Sequence, residues 1–193
     1  MLLFLCGAMF LGCEPAEAPP EDDGEEQALD LEGDTGLVES GDGDEAMDAD
    51  ERVTLVDIDA LAQLLEDAQG TVTVVNFWAT WCPPCLNEMP YFVEFYEEYA
   101  GDDVTFISVT ADAPRTIDTA VLPYMTGEDI PFHVYVMEGI QPPDVAEALD
   151  ITFRGALPVT VVFDQEGEVV IQWDEEITLA DLEEAVEPLL ETT

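Results

Sequence analysis

The sequence has very little positive charge. Its 193 residues include 3 basic side chains and no lysine, against 46 acidic side chains, which gives a formal net charge of −43. A surface with this charge repels phosphate groups and anionic lipid headgroups. The composition therefore excludes nucleic-acid binding and electrostatic adhesion to membranes, and no nucleic-acid partner is expected.

Cysteine and histidine are also scarce. The chain has 4 cysteines, at positions 6, 13, 82 and 85, and 1 histidine. A structural zinc site needs two closely spaced ligand pairs, and only one such pair exists here. We therefore predict that the protein has no metal site.

Long hydrophobic runs are absent except at the amino terminus, where residues 1–13 are almost wholly apolar. As a helix this run spans about 20 Å, less than the roughly 30 Å of a bilayer core, so we expect no transmembrane anchor. Its length suits the apolar region of a secretory signal. Phe10-Leu11-Gly12-Cys13 resembles a bacterial lipoprotein lipobox, which implies cleavage before Cys13 and a lipid on its sulfur. A signal removed without lipidation and a cytosolic protein are the alternatives.

Residues 14–51 lack aromatic and basic side chains altogether, and 17 of them are acidic. Such a segment buries too little apolar surface to offset the entropy of ordering it, and its charges repel one another. We predict a disordered acidic tether, followed by one folded domain over residues 52–193.

Residues 52–193 show alternating strand and helix patterns. Strands are predicted over 53–56, 71–79, 104–110, 132–137, 158–164 and 168–173, and helices over 58–68, 83–100, 115–125, 144–149 and 179–190. The alternation favours parallel pairing, and a hairpin around Gly167 adds antiparallel strands. The predicted class is α/β, with a mixed central sheet flanked by helices.

The segment Trp81-Cys82-Pro83-Pro84-Cys85 lies where a buried strand gives way to a helix. This places the first sulfur at a helix N-terminus, where free N–H groups and the helix dipole favour a thiolate. The second sulfur then lies within disulfide distance and can resolve a mixed disulfide. The pattern indicates redox chemistry; half a zinc site and a purely structural disulfide are the alternatives.

Residues 75–90, from Val75 to Pro90, resemble the active-site segment of thioredoxin-fold proteins, and more narrowly the TlpA/ResA group of envelope thiol–disulfide oxidoreductases. Residues 155–160 resemble the cis-proline loop of that family. The resemblance covers roughly residues 52–190. It implies a thioredoxin-like fold with a strand–helix element inserted between the CxxC motif and the cis-proline loop.

The resemblance also implies roles for individual residues. Cys82 would be the exposed nucleophile and Cys85 the partly buried resolving thiol, with their disulfide the only redox group and no further cofactor. Glu88 would exchange protons with Cys85, since Asn76 replaces the buried aspartate of thioredoxin itself. The substrate-binding residues would be Trp81, Pro83, Pro84, Leu157 and cis-Pro158.

These features together predict a monomeric, lipid-anchored oxidoreductase in the cell envelope or periplasm. It would reduce disulfides in exported proteins and receive electrons from a membrane thiol donor. Two rival functions stay open from the sequence. One is a peroxiredoxin-like thiol peroxidase, and the other is a non-catalytic lipoprotein binding module with a structural disulfide.

Overall fold

A six-stranded mixed sheet forms the centre of this computed structural model, which describes residues 49–101 and 103–191. The strands are β1 (Val53–Val56), β2 (Val72–Trp78), β3 (Val104–Thr110), β4 (Val134–Met137), β5 (Val159–Phe163) and β6 (Val169–Trp173). They lie in the order β1-β4-β3-β2-β5-β6. The first four in this order pair in parallel, β5 pairs antiparallel with β2, and β6 pairs antiparallel with β5.

Five α-helices flank the sheet: α1 (Ile58–Asp67), α2 (Pro83–Tyr99), α3 (Leu122–Gly127), α4 (Pro142–Ala148) and α5 (Leu179–Leu190). One apolar core contains buried residues of α2, α3 and α5, and a second contains those of α1 and α4. The helices therefore cover both faces of the sheet. This confirms the predicted α/β class and thioredoxin-like architecture.

Strand β2 lies in the middle of the sheet, between β3 and β5, and all seven of its residues are buried. Its side chains alternate between the two cores: Val74 and Trp78 join the core of α2, and Val75 and Phe77 join that of α1. A run of β-branched and aromatic residues suits a strand that is covered on both faces. The end of β2 leads directly to the cysteine pair.

Residues 115–125 are helical, as predicted, but they do not form one regular α-helix. The chain instead forms a 3-10 turn (Pro114–Thr116), a π-helical turn (Ile117–Val121) and then α3. Pro123 has no N–H to donate to the carbonyl four residues earlier, and its ring crowds that carbonyl. A wider turn before the proline accommodates both effects.

The carboxyl-terminal hairpin and helix follow the prediction closely. Gly167 has a φ of 82°, the left-handed conformation that the turn between β5 and β6 requires. Helix α5 begins after Thr178, whose backbone N–H and hydroxyl both donate to the Asp181 carboxylate, at 2.8 and 2.6 Å. These bonds fix the start of the helix that covers the active-site face.

The described residues begin slightly before the predicted boundary at residue 52. A 3-10 turn spans Ala49–Arg52, and the Arg52 guanidinium donates to the backbone oxygen of Ile130. The predicted signal and lipobox at 1–13, and the predicted tether up to residue 48, lie outside the described residues. Within the described ranges, no helix has the length and apolar character needed to cross a membrane.

Candidate active site

The cysteine pair lies at the start of α2 and forms a disulfide. The two sulfurs are 2.03 Å apart and the Cα atoms 5.3 Å apart. Cys82 is the N-cap residue of α2, and the backbone N–H of Cys85 donates to the Cys82 sulfur at 3.4 Å. Prolines suit the next two positions, since first-turn N–H groups have no partner within the helix. The first sulfur therefore lies at the positive end of the helix dipole, as the sequence predicted.

The expectation that Cys82 is exposed is wrong for this disulfide form. Cys82 is only 4% exposed and Cys85 is fully buried. Both belong to the apolar core that also contains Trp78 and Met89. The Cys82 sulfur is held against this core by its bond to Cys85, so little of it faces solvent.

The proline loop lies at the same end of the sheet as the disulfide. The Leu157–Pro158 peptide bond is cis, which confirms the isomer predicted for Pro158. Pro158 directly precedes β5, and the next residue, Val159, pairs with Phe77 near the end of β2. Leu157 is half-buried and packs against both apolar cores.

An apolar groove adjoins the disulfide and the proline loop. Trp81, which is 63% exposed, forms part of its wall together with Leu157. The groove has an empty volume of about 610 Å³, partly open to solvent, and α4 closes its far side through Pro142 and Val145. Pro83 and Pro84 lie outside its lining, in the first turn of α2.

Glu88 lies one turn beyond Cys85 on α2 and is fully buried. Its Oε1 accepts from the Asn76 side-chain amide at 3.2 Å, and its Oε2 accepts from the backbone N–H of Ile177 at 3.2 Å. Burial raises its pKa from 4.5 to about 7, the two hydrogen bonds lower it in part, and the charge of Glu176 raises it. An ordinary solvated glutamate is thereby excluded at this position.

Asp112 is a buried carboxylate that the sequence analysis did not single out. It is 3% exposed and follows the end of β3. It accepts from the Thr80 backbone N–H at 2.8 Å, the Thr80 hydroxyl at 2.7 Å and the Thr110 hydroxyl at 2.7 Å. These bonds fasten the loop before Trp81 and Cys82 to β3. The sequence held a clue to this contact, since Thr80 and Asp112 each follow a predicted strand, and parallel neighbours such as β2 and β3 end at the same sheet edge.

Metal chemistry receives no support from this part of the chain. Within residues 49–101 and 103–191, no group of three or more His, Cys, Asp or Glu side chains is arranged to hold a metal ion. The redox-capable group of the site is the disulfide itself.

Proteins with similar sequences are named for thiol–disulfide chemistry. The thiol-disulfide oxidoreductase ResA of Bacillus thuringiensis subsp. konkukian is 33% identical over 120 residues, which are 62% of this chain and 64% of the relative. The chain thus matches less than two thirds of the length of that relative.

Two solved structures share the fold. The thiol:disulfide interchange protein of the thioredoxin family from Chlorobium tepidum TLS has a TM-score of 0.54 and 26% identity, over 65% of this chain and 83% of its own. A DsbF homologue from Corynebacterium diphtheriae has a TM-score of 0.55 and 25% identity, over 65% and 76%.

The family model described as Redoxin matches residues 43–186, which is most of the chain. This match includes the disulfide at the start of α2, the cis-proline loop and the whole sheet up to the last turn of α5. The fold and the site geometry agree with it. The chain belongs to the redoxin family, with a thioredoxin-like fold and a CxxC disulfide.

Proposed function

We propose that this protein is a thiol–disulfide oxidoreductase that reduces disulfides of exported proteins through Cys82 and Cys85. The observation that carries the proposal is the Cys82–Cys85 disulfide at the start of α2, at the same sheet end as the cis Leu157–Pro158 bond. A purely structural disulfide needs neither a helix N-terminus nor this adjoining groove.

The reductive cycle begins from the dithiol form of the pair. The Cys82 thiolate, favoured by the N-terminus of α2, attacks one sulfur of the substrate disulfide. A mixed disulfide forms between Cys82 and the substrate, and the other substrate sulfur leaves with the electron pair of the broken bond. The substrate is then bound covalently, and Cys85 is still a thiol.

Resolution requires Cys85 to lose its proton. Glu88 is the proposed acceptor, because it is buried one helical turn from Cys85 and its pKa of about 7 lets it take or release a proton near neutral pH. The Cys85 sulfur then attacks Cys82, the bond from Cys82 to the substrate breaks, and the substrate thiolate departs. The pair ends as a disulfide, and at that moment the proton is on Glu88.

Substrate binding is assigned to the groove and its surroundings. Trp81 and Leu157 line the groove, and Pro83 and Pro84 flank the disulfide on α2. The backbone of Leu157 precedes a strand and can pair with an extended substrate segment. The 29 acidic side chains of residues 52–193, against 3 basic ones, favour substrates with positive charge near the cysteine.

The cellular setting is proposed from the sequence. The apolar segment 1–13 and the lipobox-like residues before Cys13 support export and lipid attachment at Cys13. A protein held at a membrane in this way would sit in the envelope or periplasm as a monomer. A membrane thiol donor would return it to the dithiol form after each turnover.

Insulin reduction by the full chain, with dithiothreitol as electron source, tests the activity. We expect insulin to precipitate much faster than with dithiothreitol alone, and both Cys82→Ser and Cys85→Ser to abolish the acceleration. A wild-type rate equal to that of dithiothreitol alone would refute the proposal. Thiol-dependent peroxide consumption would then favour a peroxidase, and a reduction potential below about −300 mV without glutathione exchange would favour a structural disulfide.

A further inference from the structure

Asn76 connects three parts of the site at one buried point. It lies in β2 and is fully buried. Its Nδ2 donates to Glu88 Oε1 on α2 at 3.2 Å and to Thr160 Oγ1 on β5 at 3.1 Å. Thr160 is two residues after cis-Pro158. One amide group thus contacts the acid of the active-site helix and the strand of the proline loop.

The oxygen of the same amide lacks a hydrogen-bond partner. Asn76 Oδ1 is buried and has no hydrogen-bond partner. An unpaired buried acceptor costs folding free energy, which the two bonds donated by Nδ2 offset in this state. A rotation of the amide by 180° about its Cβ–Cγ bond exchanges the positions of its oxygen and nitrogen.

The partners of Glu88 determine which of its oxygens can be protonated. Oε2 accepts from the backbone N–H of Ile177, a group that can only donate, and a protonated Oε2 would be a weaker acceptor for that bond. The proton is therefore better accommodated on Oε1, which faces Asn76. A protonated Oε1 needs an acceptor opposite it, whereas this orientation of Asn76 presents a donor.

We propose that Asn76 is a positioning residue whose side-chain amide turns over with the protonation of Glu88. Ionised Glu88 accepts from Nδ2, as observed here; protonated Glu88 donates from Oε1 to Oδ1 after the rotation. The Thr160 hydroxyl follows, since it accepts from Nδ2 in one state and donates to Oδ1 in the other. The proton received from Cys85 thereby changes a hydrogen bond on the strand after the cis-proline.

The role of Asn76 in turnover rests on the proposed function, because the proton comes from Cys85 during resolution. The other charged or titratable groups around Glu88 do not supply the missing acceptor. Glu176 acts on Glu88 through its charge and accepts from the Asn87 side chain at 3.3 Å. Cys85, one turn earlier on α2, is the proton source.

Nuclear Overhauser measurements on the oxidised full chain test the rotation without any turnover. At pH 8.5 we expect contacts from the Asn76 Hδ2 protons to the Glu88 γ-methylene and the Thr160 methyl group. These contacts should be lost below pH 6, with the same midpoint as the Glu88 carboxyl carbon shift. Contacts that persist unchanged through that midpoint would overturn the proposal.

A variant pair adds a kinetic test in the full chain. The measured step is closure, in which Cys85 attacks a mixed disulfide between Cys82 and a small thiol and releases that thiol. In the proposed mechanism its rate depends on the ionised fraction of Glu88. Asn76→Leu removes the donor to ionised Glu88 and the acceptor for protonated Glu88. The bond to the charged form is the stronger of the two, so we expect the pH midpoint of closure to rise by about one unit and closure at pH 6 to slow about tenfold. Ser108→Ala is the matched control, because Ser108 accepts a buried bond from Trp78 in the same sheet at 2.8 Å.

The control should lose stability but keep the wild-type midpoint. An Asn76→Leu midpoint equal to that of Ser108→Ala would contradict the positioning role. If Asn76→Leu does not fold, Thr160→Val and Thr160→Ser provide the comparison through the contact from the Asn76 Hδ2 protons to the Glu88 γ-methylene. The valine, which lacks the hydroxyl, should weaken the pH dependence of this contact, and the serine, which keeps the hydroxyl, should retain it. A wild type that exchanges no disulfides at all would refute the proposed function alone, since the rotation is measured on the oxidised protein.

Discussion

Two buried carboxylates, Glu88 and Asp112, follow the cysteine pair in the chain, and their surroundings differ. Asp112, on the groove side, accepts three hydrogen bonds of 2.7 to 2.8 Å. Glu88, inside the core behind the disulfide, accepts two of 3.2 Å. A carboxylate saturated by short bonds holds a loop, whereas one with few, long bonds in an apolar core can exchange a proton. Asp112, on the groove side, therefore positions the loop before the cysteines, and Glu88, in the core, exchanges a proton.

The strongest test of this difference is the loss of the Asp112 side chain. Asp112→Ala removes three charge-assisted hydrogen bonds and leaves the buried N–H of Thr80 without a partner. We expect the free energy of unfolding to fall by about 4 kcal/mol in chemical denaturation at pH 7. The free energy of unfolding of Asp112→Asn should lie between those of Asp112→Ala and the wild type. An alanine variant as stable as the wild type would show that Asp112 does not hold the loop.

Glu88→Gln should have the opposite effect at alkaline pH. With a folded pKa of about 7 against 4.5 for the ordinary group, the folded chain retains the Glu88 proton after the unfolded chain has lost it. The stability of the wild type relative to the glutamine variant is therefore full below pH 4.5 and is lost as pH rises through 7. Between pH 4 and 8.5, the free energy of unfolding of Glu88→Gln should therefore rise by about 3 kcal/mol relative to that of the wild type.

Denaturation of both proteins across this pH range measures the difference, and it cancels the contributions of the other carboxylates. Parallel stability curves for the wild type and Glu88→Gln would mean that Glu88 does not titrate in this range. The comparison with Asp112 would then lose its basis.

A smaller and more local effect is expected at Thr80. Thr80→Val removes the 2.7 Å bond from its hydroxyl to Asp112 but keeps the backbone N–H. We expect a loss of about 2 kcal/mol in the free energy of unfolding. Thr80→Ser is the control, since it keeps both bonds and should cost little. A Thr80→Val variant as stable as the wild type would show that this hydrogen bond does not stabilise the loop.

The smallest effect is expected in the groove itself. Ala113 is half-buried in the groove lining, and Ala113→Phe should fill part of it. We expect the KM for insulin to rise about fivefold, or about 1 kcal/mol, with kcat and the pH profile unchanged. Ala148→Phe is the matched control, because Ala148 lines a different cavity with Leu65 and Phe163. If kcat changes in Ala113→Phe but not in Ala148→Phe, the groove would affect the chemical step and not substrate binding alone.

Much of the fold follows from local patterns. The period-2 and continuous apolar runs predicted all six strands, and β3 and α5 have the predicted bounds. The segment predicted as helical at 115–125 is divided into 3-10, π and α turns, because Pro123 interrupts the hydrogen bonds of a regular α-helix. Periodicity reports which side chains face the core, but not whether the backbone bonds of a regular helix can all form.

The site shows the same division. The spacing of Cys82 and Cys85 predicted a disulfide at a helix N-terminus, because both cysteines belong to one helical turn. The bonds from Thr80 to Asp112 join residues 32 positions apart in the chain, and the bond from Asn76 to Thr160 joins residues 84 apart. No local pattern specifies such pairs, since they depend on the order and register of β3, β2 and β5.

The sequence by itself determined the α/β class, the place of the cysteine pair and the excess of acidic charge, because composition, hydrophobic period and short spacing are local properties. The tertiary structure decided that Cys82 is covered in the disulfide form, that Glu88 is fully buried, and that Asn76 and Asp112 contact the elements of the site. These outcomes depend on sheet register and helix packing. They arise only when distant segments exclude water from the same place.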